Sequence, residues 1–148
     1  MISSGTFQIY AKALVNLFKA NIDFDTATFK VLLANSSYTP DVDADEFLAA
    51  VFTSGDEVTG TNWSAGGQTV TATVSIDTAN DEVEVEFSDV SVATVTLTDG
   101  KYAILYNSTP GSDATNHLIG YVTFDTALAP DAGTLAIPFP APTLSIGY

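Results

Sequence analysis

Across residues 69–87 the chain alternates, almost without interruption, between side chains that avoid water and side chains that seek it. Val70, Ala72, Val74 and Ile76 are separated by Thr71, Thr73 and Ser75; Val83, Val85 and Phe87 are separated by Glu84 and Glu86. A period of two matches the pleat of a β-strand, where successive side chains point to opposite faces, and it does not match a helix. Asp77-Thr78-Ala79-Asn80-Asp81, between the two runs, is turn chemistry. The spacing predicts an antiparallel hairpin with its aliphatic side chains inward and Thr and Glu facing solvent.

The rest of the chain extends this pattern. Phe29-Lys30-Val31-Leu32-Leu33 is a short apolar run of strand character, and further strands are expected at 92–97, 101–106, 118–124 and 134–137. Two stretches carry helical spacing instead. Phe7, Tyr10, Ala11, Leu14, Leu17 and Phe18 recur at three- and four-residue intervals, with Gln8, Lys12, Asn16 and Lys19 on the other side. Ser4 or Thr6 is the expected N-cap and Asn21 the left-handed end. Ala44, Phe47, Leu48 and Val51 predict a short second helix, capped by Asp43 with Glu46 in the capping-box position. The expected fold class is mainly β, an antiparallel sandwich or barrel-like form, with one N-terminal amphipathic helix and a short second helix. Residues 1–137 read as one β-rich domain. Residues 138–148, with Pro138, Pro140 and Pro142 at alternate positions, read as an extended Pro-rich arm.

Charge excludes whole classes of partner. There are 18 Asp and Glu against four lysines, with no arginine, for a net charge of −14. A nucleic acid or an anionic membrane surface meets repulsion nearly everywhere, so neither is an expected partner. Residues 31–100 contain acids and no bases, the composition of a solvated face. The N-terminus shows no signal-peptide pattern, and synthesis in a host cytoplasm is expected.

The catalytic inventory is short. Cysteine is absent, which removes thiolate chemistry and cysteine-based zinc sites. His117 is the sole histidine, in a polar loop, and reads as exposed; no G-x-S-x-G elbow accompanies it. Asp41-Val42-Asp43-Ala44-Asp45-Glu46 opens like a calcium loop but has Glu46 where the glycine turn belongs and Phe52 where the closing Glu belongs. Gly60-Thr61-Asn62-Trp63-Ser64-Ala65-Gly66-Gly67 is no phosphate loop; its glycines suit a turn, and Trp63 suits a core plug better than a ligand platform. No enzyme activity, metal or cofactor is expected.

The order of Asn21-Ile22-Asp23-Phe24-Asp25-Thr26, Phe29 to Leu33, Tyr38-Thr39-Pro40-Asp41, the Gly60 to Gly67 stretch, Lys101-Tyr102-Ala103-Ile104-Leu105-Tyr106 and Leu118-Ile119-Gly120-Tyr121-Val122-Thr123-Phe124 resembles small structural proteins of tailed bacteriophages. The resemblance spans roughly residues 14–139 and carries no catalytic residues. It implies a virion structural protein: a capsid decoration or cement protein, with a tail, neck or fibre component as the alternative. Trp63 and nearby tyrosines on a β scaffold offer a reading of a different class, a carbohydrate- or receptor-binding β module. The implied partners are the major capsid protein or other virion proteins, together with further copies of the chain in a homo-oligomer. The apolar residues of the uncharged arm either fold back on their own domain or dock on a neighbour; for docking, Phe139, Leu144, Ile146 and Tyr148 are the candidate interaction residues, and truncation after Phe139 is then expected to leave the domain folded while weakening association.

Overall fold

The computed structural model describes residues 5–53 and 55–148. In chain order its elements are β1 (Gly5–Ile9), α1 (Ala11–Phe18), β2 (Phe29–Ala34), α2 (Ala49–Phe52), β3 (Glu57–Val58), β4 (Gln68–Val70), β5 (Ala72–Asp77), β6 (Glu82–Phe87), β7 (Val90–Val95), β8 (Gly100–Asn107), β9 (Leu118–Leu128), β10 (Gly133–Ile137) and β11 (Leu144–Gly147). Of the described residues 48% are in strand pairing and 8% in helix, all strand pairs among them are antiparallel, and the fold class is therefore mainly β with two short helices.

The apolar run at 29–33 becomes the middle of a six-stranded sheet of order β1-β9-β8-β2-β3, with β4 also paired to β2. β2 and β8 pair from Phe29↔Asn107 to Ala34↔Tyr102. Both faces of this sheet are covered, which explains why β2 reads as continuously apolar instead of alternating. On one face Phe29, Val31, Leu33, Leu105, Val122 and Phe124 pack with Trp63, Val85, Phe87, Leu135 and Ile137. These last four come from two smaller sheets, β11-β6-β5 and β10-β7. On the other face Leu32, Ala34, Ile104 and Leu118 pack with Tyr10, Ala13, Tyr38, Leu48 and Val51 from the helices and the loop between β2 and α2. The result is three layers, with the large sheet in the middle.

The hairpin predicted over 69–87 is present over 72–87 as β5 and β6, in register Val74↔Val85 and Ile76↔Val83, whereas residues 68–70, expected in the same strand, form β4 and pair with β2 in the large sheet. The strands expected at 92–97, 101–106, 118–124 and 134–137 correspond to β7 to β10. At Gly66 and Gly67, φ is +81° and +68°, the turn conformation expected there. A side chain at Gly67 would collide with the Val31 carbonyl, so the loop can cross β2 this closely only with glycine.

Three expectations fail for physical reasons. The N-terminal helix begins at Ala11, because residues 5–9 form β1 along the β9 edge, where Phe7 opposes Val122. Backbone pairing with β9 supplies hydrogen bonds that a helix start would leave unsatisfied. Tyr10 occupies the N-cap in an extended conformation with no side-chain cap; Thr6 lies in β1, and Ser4 lies outside the described residues. The helix is also rotated: Asn16 is buried and Phe18 is 78% exposed. Asn16 Nδ2 donates to the Lys12 carbonyl and to Glu46 Oε1, 2.9 Å each, and its Oδ1 accepts from Asn21 Nδ2. A buried amide tolerates burial when its hydrogen bonds are made, and this one ties the helix to the loop before α2. Ala20, not Asn21, takes the left-handed position at the helix end, with φ +59°.

The second helix is shorter than expected, four residues from Ala49, and Asp43 does not cap it. The acids before it close a turn instead: Asp41 Oδ1 accepts from the Asp43 and Ala44 amides, and Asp45 Oδ2 from the Asp41 amide and the Tyr38 hydroxyl.

The third correction concerns the arm at 138–148, whose end is a strand rather than a polyproline extension. Beyond Pro142 every residue has an amide hydrogen, and β11 pairs with β6 in register Leu144↔Val85 and Ile146↔Val83. The Thr143 and Tyr148 amides bond the Val85 and Asp81 carbonyls at 2.9 Å. Phe139 is 7% exposed and packs edge-on against Phe7.

Truncation after Phe139 therefore removes part of the fold. We expect it to lower stability by about 2–4 kcal/mol, since Leu144 is half-buried and Val85 loses cover. Thermal melting should fall by roughly 5–15 °C for a chain of this size; an unchanged melting temperature contradicts the docked strand.

A second prediction comes from the Tyr10–Tyr38–Asp45 chain. Tyr38 donates to Asp45, so Tyr10 donates to Tyr38 across 2.9 Å. Burial pushes both phenols well above the usual tyrosine range; Tyr38 and the Asp45 charge raise Tyr10 further, while at Tyr38 the hydrogen bond from Tyr10 works against the rise and Asp45 adds to it. A folded-state pKa raised above the unfolded value near 10 gives stability fully present below that value and lost as pH rises above it. Urea midpoints should hold to about pH 9 and then fall, with Tyr10 alone contributing a slope of about 1.4 kcal/mol per pH unit. Tyr10→Phe should flatten that slope, and an equal slope in the variant rejects the assignment.

Candidate docking groove

Directly opposed residues of an antiparallel sheet share a face. The registers of β5, β6 and β11 therefore place Val74, Ile76, Val83, Val85, Leu144 and Ile146 together. At the end nearest the large sheet this face is covered: Val85 is buried, and Leu144 packs against the main core. Further out it is not. Ile76 is 66% exposed, Val74 47%, Ile146 38% and Val83 37%.

Of the uncovered residues, Val74, Val83 and Ile146 face the end of α1. Leu17, Ala20, Ile22 and Phe24 form the opposite wall, and the groove between them has a volume of about 630 Å³. Its lining is apolar except for Asp23 and Asp25. The Thr26 hydroxyl and the Asp25 and Thr26 amides hold the Asp23 carboxyl below its ordinary range, so it is anionic at neutral pH. Asp77, Asp81 and Glu82 sit at the hairpin end of the same sheet. An apolar floor with acid at its mouth suits a ligand that is apolar in its middle and cationic at its edge.

Of the four candidate interaction residues, two reach this groove. Leu144 and Ile146 line it, Phe139 is in the core, and Tyr148 stands 71% exposed just past β11. The sequence places Val74 and Val83 on the inward face of the hairpin and Leu17 on the helix stripe, and marks none of them, nor the two aspartates, as part of a contact surface. Alternation marks the apolar face of the hairpin, but nothing in the pattern tells how much of that face a neighbour covers.

The other candidates are placed away from the groove. Trp63 is fully buried, which removes it as a carbohydrate platform, and its Nε1 meets no acceptor among the described residues. His117 is not the exposed loop residue expected. It is half-buried, bridged to Phe47 with ring centroids 5.0 Å apart, and its Nδ1 has no partner among the described residues. Burial lowers its pKa, against the Glu46 charge, so the neutral imidazole is favoured. Glu57 accepts from the Gly66 amide at 2.6 Å while Tyr106 donates to the Gly66 carbonyl at 2.8 Å. That pair pins the Gly60–Gly67 loop, and burial raises the Glu57 pKa.

No protein family, curated protein or solved structure matches this chain.

The groove should accept a neutral apolar probe. At high dilution, Nile red is expected to bind the native protein saturably with a blue-shifted emission, and Val74→Asp should abolish the signal without lowering the melting temperature. Absence of saturable emission from the folded protein rejects an open apolar groove.

Proposed function

We propose that this protein is a non-enzymatic structural subunit of a virus particle, a decoration or cement protein on the head of a tailed bacteriophage. The single observation that carries a contact role is the groove: apolar side chains left uncovered on a folded sheet, on a chain whose surface is otherwise strongly acidic. The sequence resemblance directs that role to a virion. Dense acidic charge suits such a role, because many copies crowded on one shell must not aggregate before they dock. On a shell, repetition gives avidity, so each docking contact can be modest.

Quantitative mass spectrometry of purified particles tests the reading. Hundreds of copies per particle are expected for a decoration protein. A handful assigns the chain to the neck, tail or a fibre, and none removes it from the virion.

A further inference from the structure

The groove asks for an apolar group beside a cation, and the chain itself presents one. Among the described residues, seven large apolar side chains are notably exposed: Val15, Phe18, Val74, Ile76, Val83, Ile146 and Tyr148. Five belong to β5, β6 or β11 or directly follow them. The other two, Val15 and Phe18, lie on α1 with Lys12, and Lys19 is its C-cap. Phe18 is the most exposed of the seven, at 78%. Lys19 follows it, exposed, and forms no ion pair among the described residues.

We propose that a second copy of this chain occupies the groove, in a two-fold arrangement in which Phe18 of each copy enters the groove of the other and Lys19 meets Asp23 and Asp25. Charge complementarity selects this occupant. Lys19 is beside the aromatic that enters, and the two aspartates are in the lining it enters. Position selects the symmetry. Leu17 and Ala20, the neighbours of Phe18 and Lys19, line the groove themselves, so projection and recess are adjacent. An isologous interface needs that adjacency, because one patch must offer both halves of the contact. Charge also disfavours most other self-contacts: residues 31–100 carry no base, and two such surfaces repel wherever screening over about 10 Å at 0.1 M salt is incomplete.

The geometry separates this contact from its nearest rival. β5 is an edge strand with no second partner among the described strands, so two copies can also join by edge pairing. Edge pairing does not use Phe18. A peptide from another protein, apolar with basic flanks, satisfies the groove equally and leaves the isolated chain monomeric.

Sedimentation equilibrium of the full chain at neutral pH and moderate salt distinguishes the three. We expect a dimer with micromolar affinity. Phe18→Ser should weaken it by about 100-fold or more, because an aromatic anchor is lost twice across a two-fold interface. Its melting temperature, measured where the wild type is monomeric, should not change, since Phe18 is exposed. Val74→Lys should weaken self-association as strongly by placing a cation where Lys19 arrives. An equimolar mixture of the two variants should associate more tightly than either alone, since one intact Phe18–groove pair is regenerated. A wild type that stays monomeric at high concentration overturns the proposal. A dimer insensitive to Phe18→Ser, or a mixture no tighter than its components, does so too.

Discussion

Burial of the large sheet on both faces is the constraint from which the remaining architecture follows. In β2, Phe29, Val31 and Leu33 go to one side while Leu32 and Ala34 go to the other, and all five are essentially inaccessible to water. One covering layer would leave half of these side chains solvated, at roughly 1.5–3 kcal/mol for each large one. The chain therefore needs two covers. The helices and the tyrosine-rich loop supply one, and the two small sheets supply the other. The second cover is only as wide as the core beneath it. Where β5, β6 and β11 run past that core, their apolar face continues without a neighbour, and the groove is that overhang.

Electrostatics divides the molecule along the same line. Asp41, Asp45, Glu46, Glu57, Asp77 and Asp99 are occupied locally, accepting from backbone amides, hydroxyls or amide side chains. Lys101 is similarly engaged, donating to the Phe124 carbonyl at 2.6 Å. Asp23 at the groove mouth is held in the same way; what distinguishes the mouth and the end of α1 is that opposite charges there lie beside uncovered apolar groups. Desolvating an apolar patch next to a complementary charge favours docking in one orientation over many loose ones.

How much was legible in the sequence depended on whether a segment's neighbours were implied by its own pattern. The hairpin at 72–87 and the strands β7 to β10 were legible, because alternation needs only the pleat. Residues 5–9 were not. Phe7 and Tyr10 fit a helical stripe, and only the free edge of β9, more than a hundred residues away, makes a strand the better use of that backbone. Asn16 reads as solvent-facing until Glu46 and Asn21 are brought beside it. The final segment was misjudged for the same reason: three prolines argue against a strand locally, while the open edge of β6 favours one at Leu144. Within the groove, Leu144 and Ile146 were visible as apolar residues lacking an assigned partner. The wall opposite them was not, since Leu17 and Phe24 look like ordinary core.

The central claim is that the chain's last residues complete the β5–β6 sheet and thereby build the groove. Native-state hydrogen exchange at the Thr143 and Tyr148 amides, the two that bond Val85 and Asp81, tests it most directly. If β11 is part of the fold, both amides exchange far more slowly than in a free peptide and slow further as the protein is stabilised. Exchange at free-peptide rates in the folded protein would mean that the segment does not dock, and the groove would lose one of its walls.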